Sequence, residues 1–399
     1  MEKVFSSFGL LPKEEMLEVK PDFKKLEIGI PKEISFQENR VSLTPDSVAL
    51  LIKNGHRVII EKGAGNASNF SDKEYSDKGA EISLSKEEVF NSQFILKIEP
   101  PIKSEIEMMC NNQILISALQ VSTQSVDYFT MLNKKNISAF AFEYIQDQQA
   151  KLPIVRSMSE IAGNTSLLIA SEYLSNINNG KGLMLGGISG LLPTSVVIIG
   201  AGTVGEYACR TALGLGASVI IFDNSVSKLR RLQNNINQKV STSILEPKVL
   251  WKALKRADIV ISALQISEGK IPCIVSENMV IDMKKGAVVI DVSIDQGGTF
   301  ETSEITNHKE PTYIKHDVIH YCVPNIASRV SRTASMAISN ILTPILLTIA
   351  EEGGVKNTIK KYENLRNGVY SFNGTLTNEI LSNNFSLPYK DLNLIMSTR

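Results

Sequence analysis

The chain has 399 residues, of which 43% are apolar and 21% charged, and its 42 basic and 42 acidic residues cancel. This length and composition predict two or three domains of ordinary globular character. Because there is no basic surplus, the net charge gives no support to nucleic acid or a membrane surface as a partner, although neutrality is compatible with a local patch.

The four cysteines, Cys110, Cys209, Cys273 and Cys322, are far apart and form no CxxC pair. They predict reduced, mostly buried thiols. The N-terminal stretch MEKVFSSFGLLPKEEM has an early acid and too short an apolar run for a signal peptide. The apolar stretch 336–350 contains Ser, Asn, Thr and Pro and is expected to be too short to span a bilayer. We therefore expect a cytoplasmic protein without membrane insertion.

Residues 1–25 are expected to form a helical or irregular arm, and from residue 26 the chain alternates strands and helices. Thr44, followed by Pro45, is the predicted N-cap of the first helix, and Gly55 ends that helix at C′. This alternation predicts a parallel, doubly wound sheet. The predicted strands are KLEIGI, HRVIIEKG, FILKIE, QILISAL and ISAFAFE, and the predicted helices are TPDSVALLIKNG, DKEYSDKGA and segments near 103–110 and 123–134.

The second half of the chain begins with one long predicted helix, RSMSEIAGNTSLLIASEYLSNI, followed by a glycine-rich segment. Strands and helices alternate again from 195 to about 324, a helical region covers 329–352, and the C-terminus is expected to be irregular. The fold class is therefore α/β with two domains. The predicted boundaries are 1–155 with 329–399 for a discontinuous first domain, and 156–328 for the second.

The pentapeptide ISALQ occurs twice, at 116–120 and at 261–265, each time at the end of an apolar strand. Coincidence between two strands rich in Ile and Val is one explanation. The other is that two similarly wound domains present equivalent strand ends.

The most informative stretch is SVVIIGAGTVGEYACRTALGLGASVIIFDN, in which GAGTVG lies between a strand and a helix. An acid follows 18 residues after the last glycine. This context is typical of a dinucleotide-binding turn, with the pyrophosphate at the helix N-terminus. Asp223 is expected to bind ribose hydroxyls and to favour NAD over NADP, a preference that nearby Lys228 weakens slightly. The predicted cofactor residues here are Gly200, Gly202, Thr203, Val204, Gly205, Asp223 and Lys228.

Three further side chains are candidates for chemistry. Asp295 follows the buried strand in VVIDVSIDQGG, where polar groups at a carboxyl strand end fit the edge of a site. Asn325 in YCVPNIASR is a similar candidate, and Arg40 precedes a helix, where a guanidinium suits a substrate carboxylate. The four histidines are too scattered to predict a metal site, and HExxH and GxSxG are absent.

Together GIPKE…ENRVSLTP, GAGTVG, MSEIAG, DVSIDQGGTFE and HYCVPN resemble the alanine dehydrogenase family, which includes the alpha subunit of nicotinamide nucleotide transhydrogenase. The resemblance covers nearly the whole chain beyond residue 26. It implies two Rossmann-like domains flanking a cleft, NAD in the second domain, an amino-acid or 2-oxo-acid substrate, and a homo-oligomer, often a hexamer. It also implies that Arg40 holds the substrate carboxylate, that Asp295 and Asn325 lie near nicotinamide and substrate, and that Ser159 contacts the cofactor.

Two positions depart from the family pattern. Alanine dehydrogenases read KVKEP where this chain reads Lys97-Ile98-Glu99-Pro100-Pro101, so Glu99 replaces a substrate-contacting lysine. Gln120 replaces the active-site histidine. Gln cannot titrate, whereas Glu can act as a base. One hypothesis is that Lys97 takes over part of the missing role; the alternative is a local ion pair between Lys97 and Glu99.

Three functions remain open at this point. The first is NAD-dependent oxidative deamination of L-alanine to pyruvate and ammonia. The second is hydride exchange like that of the transhydrogenase alpha subunit, although the polar loop expected for it is not evident in IQDQQAKLPIVRSMSEIAG. The third is an NAD-binding regulatory protein that has lost dehydrogenase activity.

Overall fold

The computed structural model describes residues 23–266 and 271–397, so the predicted N-terminal arm lies almost wholly outside the described residues. The first block alternates strands and helices as predicted. Its strands are β1 (Glu27–Ile30), β2 (Arg57–Glu61), β3 (Glu81–Ser83), β4 (Phe94–Leu96), β5 (Ile114–Ser117) and β6 (Ser138–Ala141). Its helices are α1 (Pro45–Lys53), α2 (Asp72–Asp77), α3 (Lys86–Phe90), α4 (Lys103–Met108), α5 (Val126–Lys134) and α6 (Pro153–Leu174).

The second block repeats this plan. Its strands are β7 (Ser195–Ile199), β8 (Ser218–Phe222), β9 (Ser241–Ser243), β10 (Ile259–Ser262), β11 (Val288–Asp291), β12 (Thr312–Lys315) and β13 (Val318–Tyr321). Its helices are α7 (Thr203–Gly214), α8 (Val226–Asn235), α9 (Pro247–Leu254) and α10 (Glu277–Ile281). All pairs in this sheet are parallel except β12 with β13.

The C-terminal part is regular, so the expectation of an irregular C-terminus is wrong. Its elements are α11 (Ser331–Glu351), α12 (Val355–Lys361), α13 (Glu363–Arg366), β14 (Val369–Phe372), β15 (Thr375–Leu376), α14 (Glu379–Phe385) and α15 (Leu392–Ser397). Asn373 and Gly374 both have positive φ, at 47° and 73°, and join β14 to β15. Asn-Gly between two apolar runs is a hairpin signal, and it was available in the sequence.

Both sheets have the order of a doubly wound nucleotide-binding fold. The first runs β15-β14-β6-β5-β4-β1-β2-β3, and β14 pairs antiparallel with β6. The second runs β12-β13-β11-β10-β7-β8-β9. In each sheet the strand order reverses beside the first strand, between β1 and β4 and between β7 and β10. A crevice at the carboxyl ends of such strands is where ligands bind in this fold class.

The two ISALQ segments are not equivalent in this topology. The first ends β5, the fifth strand of its sheet in chain order, whereas the second ends β10, the fourth of its own. The recurrence is therefore a coincidence of similar strand sequences rather than a matched pair of strand ends.

Helix α11 lies in the core of the first sheet, where Ile338, Leu342 and Leu346 are fully buried. With the turn before it, the helix spans Ile326–Glu351 and is long and apolar enough to cross a membrane. The expectation that this stretch is too short is therefore wrong. Half of its most apolar window is buried within the protein, and this packing accounts for its composition.

Two smaller expectations are corrected. Thr44 stands at the N-cap of α1 and Gly55 follows its end with φ +84°, but the Thr44 hydroxyl makes no capping bond. It lies 3.3 Å from the Ser339 hydroxyl of α11 instead. All four cysteines are free, but only two are buried, since Cys110 and Cys273 are exposed.

Candidate active site

Arg40 lies in the loop after β1, and its side chain is held by Glu38, two residues earlier. Its Nε and Nη2 atoms donate to the two carboxylate oxygens of Glu38 at 2.8 and 2.5 Å. Both side chains are enclosed, with 11% of Arg40 and 1% of Glu38 exposed. Burial opposes the charge on Glu38, but Arg40 and its hydrogen bonds hold the pKa of that carboxyl below its usual value. The remaining Nη1 edge of the guanidinium lies 3.6 Å from the Met158 sulfur.

Glu99, at the end of the β4 strand region, faces this arginine and Gln120. Its Oε1 is 3.7 Å from Arg40 Nη2, and its Oε2 accepts a hydrogen bond from Gln120 Nε2 at 2.6 Å. Burial, and then the neighbouring Glu38 carboxylate, raise the pKa of Glu99 to about 7. The two residues that depart from the family pattern therefore contact each other.

Lys97 does not pair with Glu99, so the expected local ion pair is not formed. Its ammonium lies 3.0 Å from Glu33 and 3.4 Å from Glu105, and all three side chains are at least 94% buried. Glu33 also accepts the Ile98 amide at 2.6 Å. The hypothesis that Lys97 replaces the missing ammonium gains no support from this position, because the group is already engaged behind the β4 terminus.

Gln120 is placed by an unusual turn. It has φ +48° and ψ 61°, a left-handed conformation that disfavours residues other than Gly, Asn and Asp. Glu143, after β6, fixes this turn, because its Oε1 accepts the amides of Leu119 at 2.7 Å and Gln120 at 3.2 Å. The side chain of Gln120 is thereby directed to Glu99.

Asp295 lies across the cleft, in the turn that follows β11. Buried Asp291 anchors this turn by accepting the amides of Ser293 and Thr299 and the Ser303 hydroxyl. The Asp295 side chain makes no hydrogen bond or ion pair with the described residues and is exposed. Desolvation by the surrounding protein, and then Asp291, raise its pKa to about 6, while Arg40 acts in the opposite direction.

Asn325 joins the two sides of the cleft. It adopts φ +56°, and its Nδ2 donates to Glu38 Oε2 at 2.9 Å. Gln37 makes a second link, since its Oε1 accepts the His308 amide at 2.6 Å and its carbonyl accepts the Ser328 hydroxyl at 2.8 Å. The structure thus brings Arg40, Glu99, Gln120, Asp295 and Asn325 to one cleft and leaves Lys97 behind it.

The glycines of GAGTVG have different roles in the turn between β7 and α7. A Cβ on Gly205 would lie 1.9 Å from the Gly200 carbonyl, and one on Gly200, where φ is +114°, would lie 2.5 Å from the Ala263 carbonyl. A Cβ on Gly202 would meet no protein atom within 4 Å. Helix and strand packing thus accounts for the other two glycines, whereas Gly202 leaves open space above the N-terminus of α7, where Thr203 and Val204 begin the helix. This space fits a pyrophosphate.

Asp223 follows β8 beside this turn, and its carboxylate accepts hydrogen bonds from the amides of Ala201 and Ser225 at 2.8 and 2.7 Å. A carboxylate has about four acceptor positions, so two remain for ribose hydroxyls. Lys228 is exposed on α8, and Arg231 donates to the Ala201 carbonyl at 3.1 Å. The residues present therefore fit a dinucleotide with a free 2′-hydroxyl.

Ser159 lies on α6, the long helix that passes between the two sheets, one residue after Met158. Its side chain is partly exposed and makes no hydrogen bond with the described residues. Close packing of α6 on α7 depends on Gly163, where a Cβ would lie 2.4 Å from the Val204 carbonyl. The position of Ser159 next to the cleft is compatible with its expected contact with the cofactor.

Several residues of the site were not singled out in the sequence. They are Glu38, Glu143, Met158, Asp291, Arg231 and His308. Glu38 precedes Arg40 by two residues in ENRVSLTP, and Asp291 ends an apolar strand, so the neighbouring sequence could have indicated that both belong to the site. Glu143 and His308 contact distant segments of the chain, so nothing in the sequence around them indicated a role in the site.

Comparison with known proteins identifies the family. A family model described as the alanine dehydrogenase/PNT N-terminal domain matches residues 29–162, and the corresponding C-terminal domain model matches residues 166–379. Alanine dehydrogenase of Methanococcus maripaludis is 41% identical over 364 residues, which cover 91% of this chain and 97% of that protein. Alanine dehydrogenase 2 of Staphylococcus aureus is 37% identical over 368 residues, covering 92% and 98%.

Solved structures agree. An L-alanine dehydrogenase superposes with a TM-score of 0.84 at 33% identity, covering 90% of this chain and 99% of that one. A transhydrogenase from Sinorhizobium meliloti gives 0.76 at 22% identity, covering 88% and 99%, which shows a shared fold alone. The predicted α/β fold with two doubly wound domains is confirmed, and the chain belongs to the alanine dehydrogenase/PNT family.

Proposed function

We propose that the protein is an NAD-dependent amino-acid dehydrogenase that oxidises an L-α-amino acid, with L-alanine as the substrate named for its relatives. The overall reaction converts the amino acid, NAD+ and water to a 2-oxo acid, ammonium, NADH and a proton. The observation that carries the proposal is the connection Arg40–Glu38–Asn325, which joins the carboxylate-binding arginine to the nucleotide-binding half of the cleft.

Arg40 would bind the substrate carboxylate through its Nη1 edge. Glu38 occupies the Nε and Nη2 edge, so the guanidinium is fixed in orientation while one edge still offers N–H donors. Met158 borders that edge and provides an apolar wall. This arrangement would hold the substrate carboxylate without requiring Arg40 to move.

NAD, when bound by the GAGTVG turn and Asp223, supplies the acceptor for the hydride that leaves the substrate Cα. Asp295 would accept the proton that the substrate ammonium loses, since its exposed side chain has no partner among the described residues and lies near enough to Arg40 for the guanidinium to lower its pKa. A base with a pKa near the operating pH is efficient in proton transfer. Because Asp295 is exposed, it can also pass its proton to water.

The test is NADH formation by the purified protein with L-alanine and other amino acids, alongside pyruvate, ammonium and NADH in reverse and NADP as the cofactor control. Asp295→Asn should reduce kcat at least 100-fold and leave the Kd for NAD within a factor of three. Glu107→Gln, on the exposed face of α4, is the control acidic substitution. Undiminished turnover by Asp295→Asn would remove Asp295 from the reaction.

A second candidate is an NAD-binding regulatory protein without turnover. It is favoured by the same contact that fixes Arg40, because Glu38 already holds the guanidinium, and by the replacement of lysine and histidine at 99 and 120. It predicts NAD binding with no NADH formed from any amino acid in the panel. Hydride exchange with a second nucleotide would instead require a partner that carries NADP.

From the resemblance we also propose a homo-oligomer, with a hexamer as the form typical of the family, and from the unpaired cysteines a location in the cytoplasm. The proposed partners are the small amino-acid or 2-oxo-acid substrate and further copies of the chain, with no role for nucleic acid or membrane. Sedimentation velocity of the purified protein tests the oligomeric state.

A further inference from the structure

The cleft contains more carboxylates than cations. Glu38, Glu99 and Asp295 surround it, and among the described residues Arg40 is the only cation within ion-pair distance of Glu99. The nearby ammonium of Lys97 is bound behind β4 by Glu33 and Glu105. The excess negative charge therefore faces the space where the substrate binds.

The positive charge of Arg40 is already paired with the carboxylate of Glu38. Glu38 receives its Nε and Nη2 at 2.8 and 2.5 Å, whereas Glu99 lies at 3.7 Å without a direct hydrogen bond. A substrate carboxylate on the free edge would add a second anion to the same guanidinium. With an ordinary amino acid bound, four carboxylates would share Arg40 and one substrate ammonium, and the nicotinamide ring of NAD+ would add only one more positive charge.

Glu99 lies where a cation could take the place of its proton. Gln120 donates to its Oε2, which favours the ionised form of the carboxyl, whereas a hydrogen bond with the Glu38 carboxylate favours the protonated form. Only 13% of the side chain is exposed, so water screens its charge poorly. Burial, and then the Glu38 carboxylate, raise its pKa to about 7, so near neutral pH the carboxyl holds a proton that a bound cation would displace.

We propose, on the basis of the proposed function, that the substrate is an α-amino acid whose side chain carries a second positive charge, which binds Glu99 Oε1 beside Gln120. An ammonium or guanidinium there balances the fourth carboxylate of the cleft. The family pattern has a lysine at position 99, which would repel such a group. The substitution thus exchanges a site that excludes a cationic side chain for one that requires it.

The test compares cationic ligands with neutral ligands of matched length: L-ornithine with L-norleucine, and L-lysine with L-2-aminoheptanoate. Binding is measured by calorimetry on the full chain saturated with NADH, where no oxidation occurs. At least one cationic ligand should bind tenfold or more tightly than its neutral counterpart. It should also release about half a proton at pH 7, because a carboxyl with a pKa near 7 is half protonated there.

Substitutions test whether Glu99 is the residue that causes the preference for cationic ligands. Glu99→Gln should reduce the preference to within twofold and abolish proton release, while Glu107→Gln behaves as wild type. Glu99→Lys should reverse the preference. Gln120→Leu, which retains the charge of Glu99, should keep part of the preference and serves as the second variant if Glu99→Gln fails to fold.

Equal or tighter binding of all neutral ligands, or a cationic preference that persists in folded Glu99→Gln, would overturn the inference. Turnover measured on the same panel distinguishes failure of the cationic-ligand inference from failure of the proposed dehydrogenase function. Turnover of neutral amino acids without any cationic preference would sustain the dehydrogenase and refute the cationic side chain. Cationic preference without NADH formation would support the ligand class and refute the dehydrogenase.

Discussion

Glu99 illustrates how a single buried carboxyl affects both ligand binding and stability. Its raised pKa means that the folded protein binds this proton more tightly than the unfolded chain does. The stability associated with neutral Glu99 is complete below its ordinary pKa of 4.5 and is lost as the pH rises to about 7. Without a bound cation, the ionised side chain therefore destabilises the fold at pH 8.

The first prediction follows from this sign. Glu99→Gln should become more stable relative to wild type as the pH rises from 4.5 to 7, with a difference of up to about 3 kcal/mol in the free energy of unfolding. Urea denaturation at pH 5 and pH 8 measures it. Glu107→Gln should show no such pH dependence, and a constant difference for Glu99→Gln would contradict the assignment.

Lys97 gives the second prediction. Lys97→Met removes the cation between Glu33 and Glu105 and leaves Glu33 buried without a counter-charge, since Glu105 retains Lys86 at 2.9 Å. We expect a loss of about 3–5 kcal/mol in the free energy of unfolding. Adding Glu33→Gln, which keeps an acceptor for the Ile98 amide, should recover much of it. A stable Lys97→Met that loses only turnover would instead support a direct role for Lys97.

At the scale of the element, the turn between β7 and α7 separates packing from ligand binding. Gly202→Ala should leave the melting temperature within about 2 °C and weaken NAD binding at least tenfold, because its Cβ meets no protein atom but projects into the space for the pyrophosphate. Gly205→Ala should destabilise the protein, because its Cβ would collide with the Gly200 carbonyl. Calorimetric NAD titration and thermal denaturation of both variants provide the comparison, and unchanged NAD affinity in Gly202→Ala would count against the site.

Local patterns explain which elements could be predicted from the sequence. The position of GAGTVG between β7 and α7 could be predicted because glycine spacing and apolar periodicity are patterns of only a few residues. The pairing of β14 with β6 depends on contacts between distant segments, so the C-terminus was misjudged even though its Asn-Gly turn was visible. Lys97 is a second example of contacts between segments that a local pattern does not reveal. Alternation along the strand predicts Lys97 beside Glu99, but it gives no information on Glu33 and Glu105, which bind the Lys97 ammonium in the structure.

On the scale of the whole molecule, the loop after β1 connects the two domains across the cleft. Gln37 and Glu38 bond to residues of the second domain at His308, Asn325 and Ser328. The Nε2 atom of His308 is buried there without a hydrogen-bond partner among the described residues. Burial, and then Arg329, keep the pKa of His308 below its usual value, although the Asn325 carbonyl and Glu38 act in the opposite direction.

The fourth prediction concerns the opening and closure of the cleft at this connection. A lowered pKa means that the closed form binds the His308 proton weakly, so closure is favoured at neutral pH and weakened as the pH falls below the ordinary histidine value of 6.5. Small-angle scattering should show a larger radius of gyration at pH 5.5 than at pH 8. His308→Asn should reduce this difference, since it removes the titration while retaining a polar side chain. An equal expansion of both proteins would assign the effect to other groups.

The pairing of β14 with β6 also determines the order in which the protein can mature on the ribosome. The second sheet lies wholly between β6 and β14, so its strands emerge and can assemble while the first sheet still exposes β6 as an open edge. The first-made sheet is thus the last to be completed. Nascent chains are therefore expected to pass through a stage in which a chaperone, or another nascent copy, can occupy the position of β14.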